Sequence, residues 1–424
     1  MKDNRRAFVK KIGSFGLASL LPWISLNAES RNKIGRLASG EIDEDYWRLV
    51  RSHFHIKKGY HYFNNGTMGP SPFEVEEAVI EKTKSVNFNL NYKGGEGVRE
   101  KIAQLINGNK DEISLTHNTT EGINVIAWGL PLKKGEEIIL TSHEHVGNAM
   151  PWLNRAKHDG LVVKTFVPPK GKQSILDAIQ KLITKKTRVV TVPHISCTIG
   201  QRFPVKEINE IAKSKNIYFV IDGAHGAGTL HLDMKELDAD AYITCGHKWL
   251  LGPKGTGFIH VPKRNFDVIK PIFAGAYTDT GFDISTSPAS FTGYNPTAHR
   301  YDYGTQNPAL RMGLESTMDF HLRIGSQVIQ NRIFDLNGHL RKALVNLDHI
   351  EILSPMEQGS ESGMLGIRHR NMEYKSVASM LAKQGFRIRQ VPEAGLNSLR
   401  ISTHIYNSYE EIDQLIDILK KNEK

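Results

Sequence analysis

The chain has 424 residues, of which 39% are hydrophobic and 24% are charged, and its 37 glycines follow no repeating pattern. This composition excludes a collagen-like, coiled-coil or wholly disordered chain and suffices for a large buried core. Two cysteines are too few for a disulfide scaffold or an iron–sulfur cluster. The formal net charge is +10, but no run of basic residues interleaved with aromatic residues occurs, so we expect no nucleic-acid partner.

The first segment of the chain has the layout of a twin-arginine export signal. Arg5 and Arg6 precede an apolar stretch at residues 12–26, which glycines and a proline interrupt. At about 15 residues, the stretch is shorter than the roughly 20 that a membrane-spanning helix needs. We therefore predict a signal peptide at residues 1–28, a flexible lead-in at residues 29–45, and export by the twin-arginine machinery to the periplasm or another extracytoplasmic site, with anchoring if the signal is not cleaved.

The middle of the chain alternates apolar, strand-like runs with amphipathic, helix-like ones. This alternation predicts βαβ units and a largely parallel sheet, that is, an α/β fold. A Gly-, Ser- and Pro-rich excursion follows at residues 264–308, then a helix from residue 309 that continues towards 347, and then a smaller α+β lobe. The predicted strands are 137–141, 161–166, 188–192, 217–221 and 239–244, and the predicted helices between them include 174–183 and 205–213.

Polar side chains follow four of the predicted strands. Because ligands bind beyond the carboxyl ends of the strands in open parallel sheets, these residues form one candidate site. They are, strand by strand, Ser142, His143, Glu144, His145 and Asn148; His194, Ser196 and Cys197; Asp222 and His225; and Cys245, His247 and Lys248.

Two chemistries are open at this edge of the sheet. His143 and His145 could ligate a metal, with Asp222 and His225 as further ligands. Alternatively, Lys248 could form a Schiff base with the aldehyde of pyridoxal phosphate (PLP), while Asp222 holds the pyridine nitrogen protonated. The second chemistry uses the lysine, which a metal site does not need.

A phosphate group would then need an anion site of its own. Thr119 and Thr120 open an apparent helix whose free N–H groups and hydroxyls could bind it.

Several blocks of sequence resemble the class V aminotransferase family of fold-type I PLP enzymes, the group that includes cysteine desulfurases and isopenicillin N epimerase-like proteins. The resemblance covers residues 45–420. It rests on Asn64-Asn65-Gly66-Thr67-Met68-Gly69-Pro70, Asn118-Thr119-Thr120-Glu121, Glu144-His145 with Asn148, Asp222-Gly223-Ala224-His225, Gly246-His247-Lys248, Gly304-Thr305, and Arg400-x-Ser402 followed by Tyr406-Asn407.

The resemblance implies roles around the cofactor ring. Lys248 would carry PLP and move the α-proton, and Asp222 would pair with the pyridine nitrogen. His145 would stack on the ring, while His225 would reach the ring hydroxyl. Under this interpretation the site holds no metal.

The resemblance also implies a phosphate site, a substrate site and a homodimer. Arg400 would grip the α-carboxylate of an amino-acid-like substrate, and Asn65 would contact the substrate as well. The phosphate would be held by Thr119, Thr120 and His247, and by Gly304 and Thr305 of a second subunit.

The two cysteines are departures from the family pattern. Cys197 stands where desulfurase-like relatives have an asparagine near the ring hydroxyl, and Cys245 stands where they have a phosphate-binding serine. Both thiols are weaker hydrogen-bonding groups than those they replace. The sequence has no cysteine at residues 355–375, where a desulfurase carries its persulfide nucleophile. This absence predicts that the protein is not a persulfide-type cysteine desulfurase.

The fold implied is a large PLP-binding domain with a mainly parallel, seven-stranded-type sheet between helices, plus a smaller α+β C-terminal domain. Its predicted segments are an N-terminal piece at 46–65 that packs with the small domain, the large domain at 66–310, and a linking helix with the small domain at 311–424. We expect an exported PLP enzyme acting at the α-carbon of an amino acid or derivative, epimerase-like or C–S lyase-like, with an aminotransferase as a further candidate. The alternatives are a catalytically inactive, exported binding protein with the same fold, or a metal-dependent hydrolase that uses His143 and His145.

Overall fold

The computed structural model describes residues 42–423. The predicted signal peptide, and the predicted lead-in up to residue 41, lie outside the described residues. The first described helix begins at Glu44, because the Asp43 side chain accepts a hydrogen bond from the Tyr46 backbone N–H and caps it.

Fifteen strands form one large sheet and three smaller ones in the described residues. The strands are β1 (His61–Tyr62), β2 (Ile113–Thr116), β3 (Glu137–Thr141), β4 (Val162–Phe166), β5 (Thr187–Pro193), β6 (Tyr218–Asp222), β7 (Ala241–Cys245), β8 (Gly257–His260), β9 (Phe282–Asp283), β10 (Ser290–Phe291), β11 (Ile350–Ile352), β12 (Met364–His369), β13 (Phe386–Arg387), β14 (Arg389–Val391) and β15 (Ser398–Ser402).

Twelve α-helices accompany the strands in the same part of the chain. They are α1 (Glu44–Arg51), α2 (Phe73–Asn89), α3 (Val98–Leu105), α4 (Thr119–Gly129), α5 (Val146–Asp159), α6 (Lys172–Leu182), α7 (Val205–Ser214), α8 (Met234–Leu237), α9 (Pro308–Ile324), α10 (Ser326–Leu344), α11 (Tyr374–Lys383) and α12 (Tyr409–Lys420). Within residues 42–423, none of these helices is both long and apolar enough to cross a membrane.

The large sheet has seven strands in the order β2-β8-β7-β6-β5-β3-β4, and the predicted fold class is confirmed. The strands from β7 to β4 run parallel, while β8 is antiparallel to both of its neighbours. Alternate residues of β5 and β6 pack into different cores, with Val190 and Phe219 in one and Val189 and Val220 in the other. The sheet is therefore buried on both faces, as parallel sheets are.

A four-stranded antiparallel sheet in the order β11-β12-β15-β14 forms the centre of the small lobe. Its own core includes residues of α10 and α12, such as Leu340 and Leu415. The N-terminal segment joins this lobe, because β1 pairs with β13 and the Ser402 N–H donates to the Phe63 carbonyl at 2.8 Å. The residues that follow Phe63 are thereby held close to Arg400.

Buried histidines stay uncharged in the core beneath the site. Burial lowers the pKa of His404 to about 3 and that of His321 to about 4. His321 contacts the Leu250 carbonyl through Nε2 at 2.9 Å, and a carbonyl can only accept, so Nε2 carries the proton.

We predict that acid destabilises the fold through these histidines. Their folded-state pKa lies below the unfolded value near 6.5, so the unfolded chain binds protons first as the pH falls. Stability should be constant above about pH 6.5 and decline towards pH 4 by about 1.4 kcal/mol per pH unit for each histidine. Denaturant unfolding at several pH values measures this slope. His321→Gln, whose amide can still donate to Leu250, should show a shallower decline; an unchanged slope would contradict the assignment.

Candidate active site

The four strand ends chosen from the sequence are neighbours in the folded sheet. β7, β6, β5 and β3 lie side by side, so the residues that follow them meet at one carboxyl edge. The loop after β7 carries Lys248, the loop after β6 carries His225, and the β3–α5 connection carries His145. This edge is the candidate active site.

Lys248 lies beside an imidazole and near a buried carboxylate. Its Nζ is 3.4 Å from Nε2 of His225. Asp222 is almost fully buried at the end of β6, and its Oδ1 accepts a hydrogen bond from the Ala224 N–H at 2.9 Å. Burial raises the pKa of Asp222, while the charge of Lys248 opposes that rise. A carboxylate so placed can pair with a protonated ring nitrogen.

Glu144 is a second, half-buried carboxyl of the site, and the sequence analysis placed it at this strand end without giving it a role. Burial, together with repulsion from Asp222, raises its pKa well above the ordinary value and so favours its protonated form. One of its oxygens accepts from the Asn148 amide at 2.9 Å. The signal in the sequence was its position directly after a buried strand.

His145 forms the N-cap of α5. Its Nδ1 accepts a hydrogen bond from the Gly147 N–H at 3.0 Å, so the ring proton of the neutral form lies on Nε2. Burial and the charge of Lys248 lower its pKa to about 4. An uncharged, fixed imidazole at this edge is suited to stacking on a planar ligand.

The start of α4 leaves buried polar groups without partners. The Thr119 hydroxyl and Nδ1 of His247 are buried, and neither has a hydrogen-bond partner among residues 42–423. The Thr120 hydroxyl lies so close to Gly147 that a Cβ there would approach it to 2.6 Å. These groups surround a helix N-terminus, which is the arrangement that binds phosphate. Cys245 ends β7 nearby, and burial raises its thiol pKa.

Arg400 is buried at the opposite end of the cleft. Its Nη1 donates to the Cys197 carbonyl, and its Nη2 donates to the Thr67 hydroxyl at 3.2 Å. Within residues 42–423 it forms no ion pair, and burial together with Arg389 lowers its pKa to about 9. An unpaired buried guanidinium is a site for a carboxylate.

The segment before α2 passes between the two ends of the cleft. A Cβ at Gly66 would lie 2.8 Å from Nη2 of Arg400, and one at Gly69 would lie 2.3 Å from the Lys248 carbonyl oxygen, so only glycine fits. Asn65, which directly precedes Gly66, is fully buried. Its Oδ1 accepts from the Tyr406 hydroxyl at 3.0 Å, and its Nδ2 has no partner.

Gly304 and Thr305 are not brought to Lys248 within one chain. They line a separate surface cavity of about 470 Å³ together with Lys93, Tyr277 and Arg311. Their implied role in a second subunit's phosphate site therefore stays a prediction.

The proposed metal pair is also not assembled. His143 is buried, and its Nδ1 lies 3.4 Å from the Thr198 hydroxyl. Across the described part of the chain, no group of three or more His, Cys, Asp or Glu residues is placed to hold a metal ion.

Comparison with known proteins identifies the family. The family model for aminotransferase class-V matches residues 78–415. The chain belongs to the class V aminotransferase family. It is 30% identical over 402 residues to a probable cysteine desulfurase of Methanothermobacter thermautotrophicus, which covers 88% of this chain and 97% of that protein.

Two other class V comparisons bear on the site. The chain is 30% identical to an isopenicillin N epimerase of Streptomyces clavuligerus, over 76% of this chain and 82% of that protein. Its fold matches the apo structure of a cysteine desulfurase from Thermococcus onnurineus with a TM-score of 0.78 and 25% identity, over 90% of this chain and 98% of that one. The protein is thus a PLP-dependent enzyme of the fold-type I group.

The exclusion of a persulfide-type cysteine desulfurase was wrong. Relatives that align with nearly the whole chain bear that name, as does a matching structure. The exclusion rested on one missing cysteine at 355–375, whereas the similarity extends over 402 residues. The function predicted with that exclusion, an epimerase-like or C–S lyase-like enzyme or an aminotransferase, with an inactive binding protein or a metal-dependent hydrolase as alternatives, is corrected accordingly.

The residues present fit PLP. The unpaired Thr119 hydroxyl and His247 Nδ1 lie where a phosphate would satisfy them. Asp222 provides a buried carboxylate, and Lys248 provides the amine. Thr119, His247, Asp222 and Lys248 thus provide the groups that the cofactor would need.

We predict that Lys248→Ala abolishes covalent attachment of PLP, because Lys248 is the lysine that lies beside His225 at this edge. After borohydride treatment, mass spectrometry should show the PLP adduct on a Lys248 peptide of the wild type and none in the variant. Circular dichroism should show that the fold is unchanged. An adduct of equal yield in the variant would remove Lys248 from its assigned role.

Proposed function

We propose that the protein removes sulfur from L-cysteine or a close derivative and passes it to a thiol as a persulfide, as a cysteine desulfurase does. The observation that carries the amino-acid part is Arg400, which is buried, forms no ion pair within residues 42–423, and lies near His225, whose pKa the charges of Lys248 and Arg400 both lower. The sulfur part is supported by the relatives named cysteine desulfurase.

Arg400 binds the substrate's α-carboxylate in this proposal. Its guanidinium is fixed by the Cys197 carbonyl and the Thr67 hydroxyl, so the fork is already oriented when the substrate arrives. Closing the cleft around it excludes water, which strengthens the charge-assisted hydrogen bonds.

Lys248 removes and returns the proton at the α-carbon through its Nζ atom. Bound PLP supplies an electron sink for the charge that develops on that carbon. Asp222 stabilises a protonated pyridine nitrogen, and His145, which is uncharged, adds no competing positive charge. The net reaction breaks the Cβ–S bond and forms an S–S bond to the acceptor thiol. The thiol proton ends on the former Cβ, which gives alanine.

The two thiols of the chain, Cys197 and Cys245, are poor acceptors for the sulfur released from the substrate. Cys197 is buried, which raises its pKa to about 11, and burial also raises the pKa of Cys245. A thiolate is the reactive species, so both are protonated and weakly nucleophilic at neutral pH. We therefore propose that a separate thiol, on a small molecule or a partner protein, takes the sulfur as its persulfide.

We predict that the PLP-loaded protein converts L-cysteine to alanine in the presence of dithiothreitol. Amino-acid analysis should find alanine in a 1:1 ratio to released sulfur, and Lys248→Ala should give none. Cys197→Ser should retain most of the activity. Formation of pyruvate and ammonia, or inversion at the α-carbon without sulfur release, would contradict the proposal. If turnover required a persulfide on Cys197, the proposal of a separate acceptor thiol would be contradicted.

We predict that Arg400→Lys raises the KM for L-cysteine about 10- to 100-fold. Lysine keeps the charge but loses the bidentate fork, and hydrogen bonds to charged groups are worth about 1.5–3 kcal/mol each. The near-visible spectrum of the bound cofactor should not change. Cysteamine, which lacks the carboxylate, serves as the control. Its binding should change little in the Arg400→Lys variant. An unchanged KM would place the carboxylate elsewhere.

We further propose that the enzyme is a homodimer exported by the twin-arginine route to the periplasm. Exposed apolar side chains at Phe88, Leu90 and Tyr92 flank the cavity that includes Gly304 and Thr305, and a second subunit would cover them. The twin-arginine route carries folded proteins, so PLP bound in the cytoplasm would travel with the enzyme. The sequence at Arg5 and Arg6 supports this proposal.

A further inference from the structure

Trp249 directly follows the site lysine, and its side chain points to a second residue of the site. Its Nε1 lies 3.0 Å from Nδ1 of His225. The indole N–H can only donate a hydrogen bond, so Nδ1 of His225 must be an acceptor and carry no proton. Both residues are buried, with exposed fractions of 0% and 3%. We infer that Trp249 is a positioning residue that fixes the ring proton of His225 on Nε2, the nitrogen that faces Lys248.

The indole has no room to leave this position. A Cβ at Gly363 would lie 2.6 Å from two atoms of the six-membered ring, so the ring packs directly on that glycine. On another side it stacks on His404, with centroids 5.5 Å apart and an angle of 26° between the planes. The indole N–H of Trp249 is therefore held in place by residues that do not belong to the site.

His404 is itself fixed by two backbone hydrogen bonds. Its Nδ1 accepts from the Ile405 N–H at 2.8 Å, and its Nε2 donates to the Trp249 carbonyl at 3.0 Å. Its ring also stacks on Tyr406 with an angle of only 6° between the planes. The small lobe thus supports the indole, and the indole sets the tautomer of His225.

The consequence lies at Nε2 of His225, which is 3.4 Å from Nζ of Lys248. A protonated Nε2 cannot accept a hydrogen bond from the Lys248 ammonium, so in the protein without PLP the Trp249 donor and the Lys248 donor favour opposite tautomers. Burial and the charge of Lys248 lower the pKa of His225 well below its ordinary value, so the ring carries a single proton. With that proton on Nε2, His225 would be able to donate a hydrogen bond to an acceptor on bound PLP, such as the ring hydroxyl oxygen that the resemblance assigns to it. With the proton on Nδ1, the same nitrogen could only accept. This inference concerns the cofactor site and does not depend on the proposed sulfur chemistry.

The test is to read the tautomer directly in the protein without PLP. Nitrogen NMR of protein labelled with ¹⁵N-histidine distinguishes a protonated from an unprotonated ring nitrogen, and His225→Gln assigns the signal. Wild-type His225 should show Nε2–H alone. Trp249→Phe keeps the aromatic packing and removes the donor, which should shift the tautomer ratio towards Nδ1–H by about fivefold or more, the worth of one buried hydrogen bond.

Trp152→Phe is the matched control. Trp152 is also fully buried, and its Nε1 donates to Asn148 Oδ1 at 3.2 Å. This variant loses a comparable hydrogen bond but should leave the His225 signal unchanged. An Nδ1–H signal in the wild type would overturn the inference, even if Trp249→Phe does not fold. An unchanged ratio in folded Trp249→Phe would overturn it too.

The PLP-loaded protein gives a second readout. Trp249→Phe should move the near-visible absorbance band of the bound cofactor and the pH profile of that band. Without the indole donor both tautomers of His225 become populated, and only one of them can donate a hydrogen bond through Nε2. Glutamine has no tautomers, so in a His225→Gln background the further change Trp249→Phe should have no additional spectral effect. Additive effects of the two substitutions would show that Trp249 acts on the cofactor by another route.

Discussion

Burial of the carboxyl edge of the parallel strands governs the charge of the ionisable groups in the cleft. Desolvation disfavours the charged form of every such group, so it keeps His145 and His225 neutral and favours the protonated form of Glu144. The remaining groups able to carry charge are Lys248, Asp222 and Arg400. These are the groups that PLP chemistry on an amino acid needs, because one binds the cofactor, one pairs with its ring nitrogen and one holds the substrate.

The cleft is built from segments that interlock by close backbone approach. Gly66 and Gly69 let the N-terminal segment pass against Arg400 and the Lys248 carbonyl, and a Cβ at Gly200 would lie 2.5 Å from the Met364 side chain. Interiors packed at this density transmit displacement between neighbours. A shift of the small lobe would therefore move Arg400 relative to Lys248.

The sequence predicts the sheet well because the signals are local. Apolar runs such as 217–221 identify buried strands, and parallel topology then brings their carboxyl ends together, so Asp222 and Lys248 could be placed without a structure. The Arg400 contact with the Cys197 carbonyl joins residues 203 positions apart, and no local pattern encodes it. The chemistry is harder to predict. The absence of a cysteine at residues 355–375 is a single local feature, whereas the similarity to a probable cysteine desulfurase extends over 402 residues.

Trp249 shows why some site residues cannot be found from sequence. A tryptophan after a lysine has no pattern that predicts a role, and its effect depends on Gly363, His404 and Tyr406, which belong to distant parts of the chain. A histidine that is neutral through burial still has two tautomers, and burial does not choose between them. That choice requires a donor or acceptor held in a fixed place. Desolvation therefore sets the charge of His225, whereas the packing of the small lobe sets the direction of its hydrogen bond.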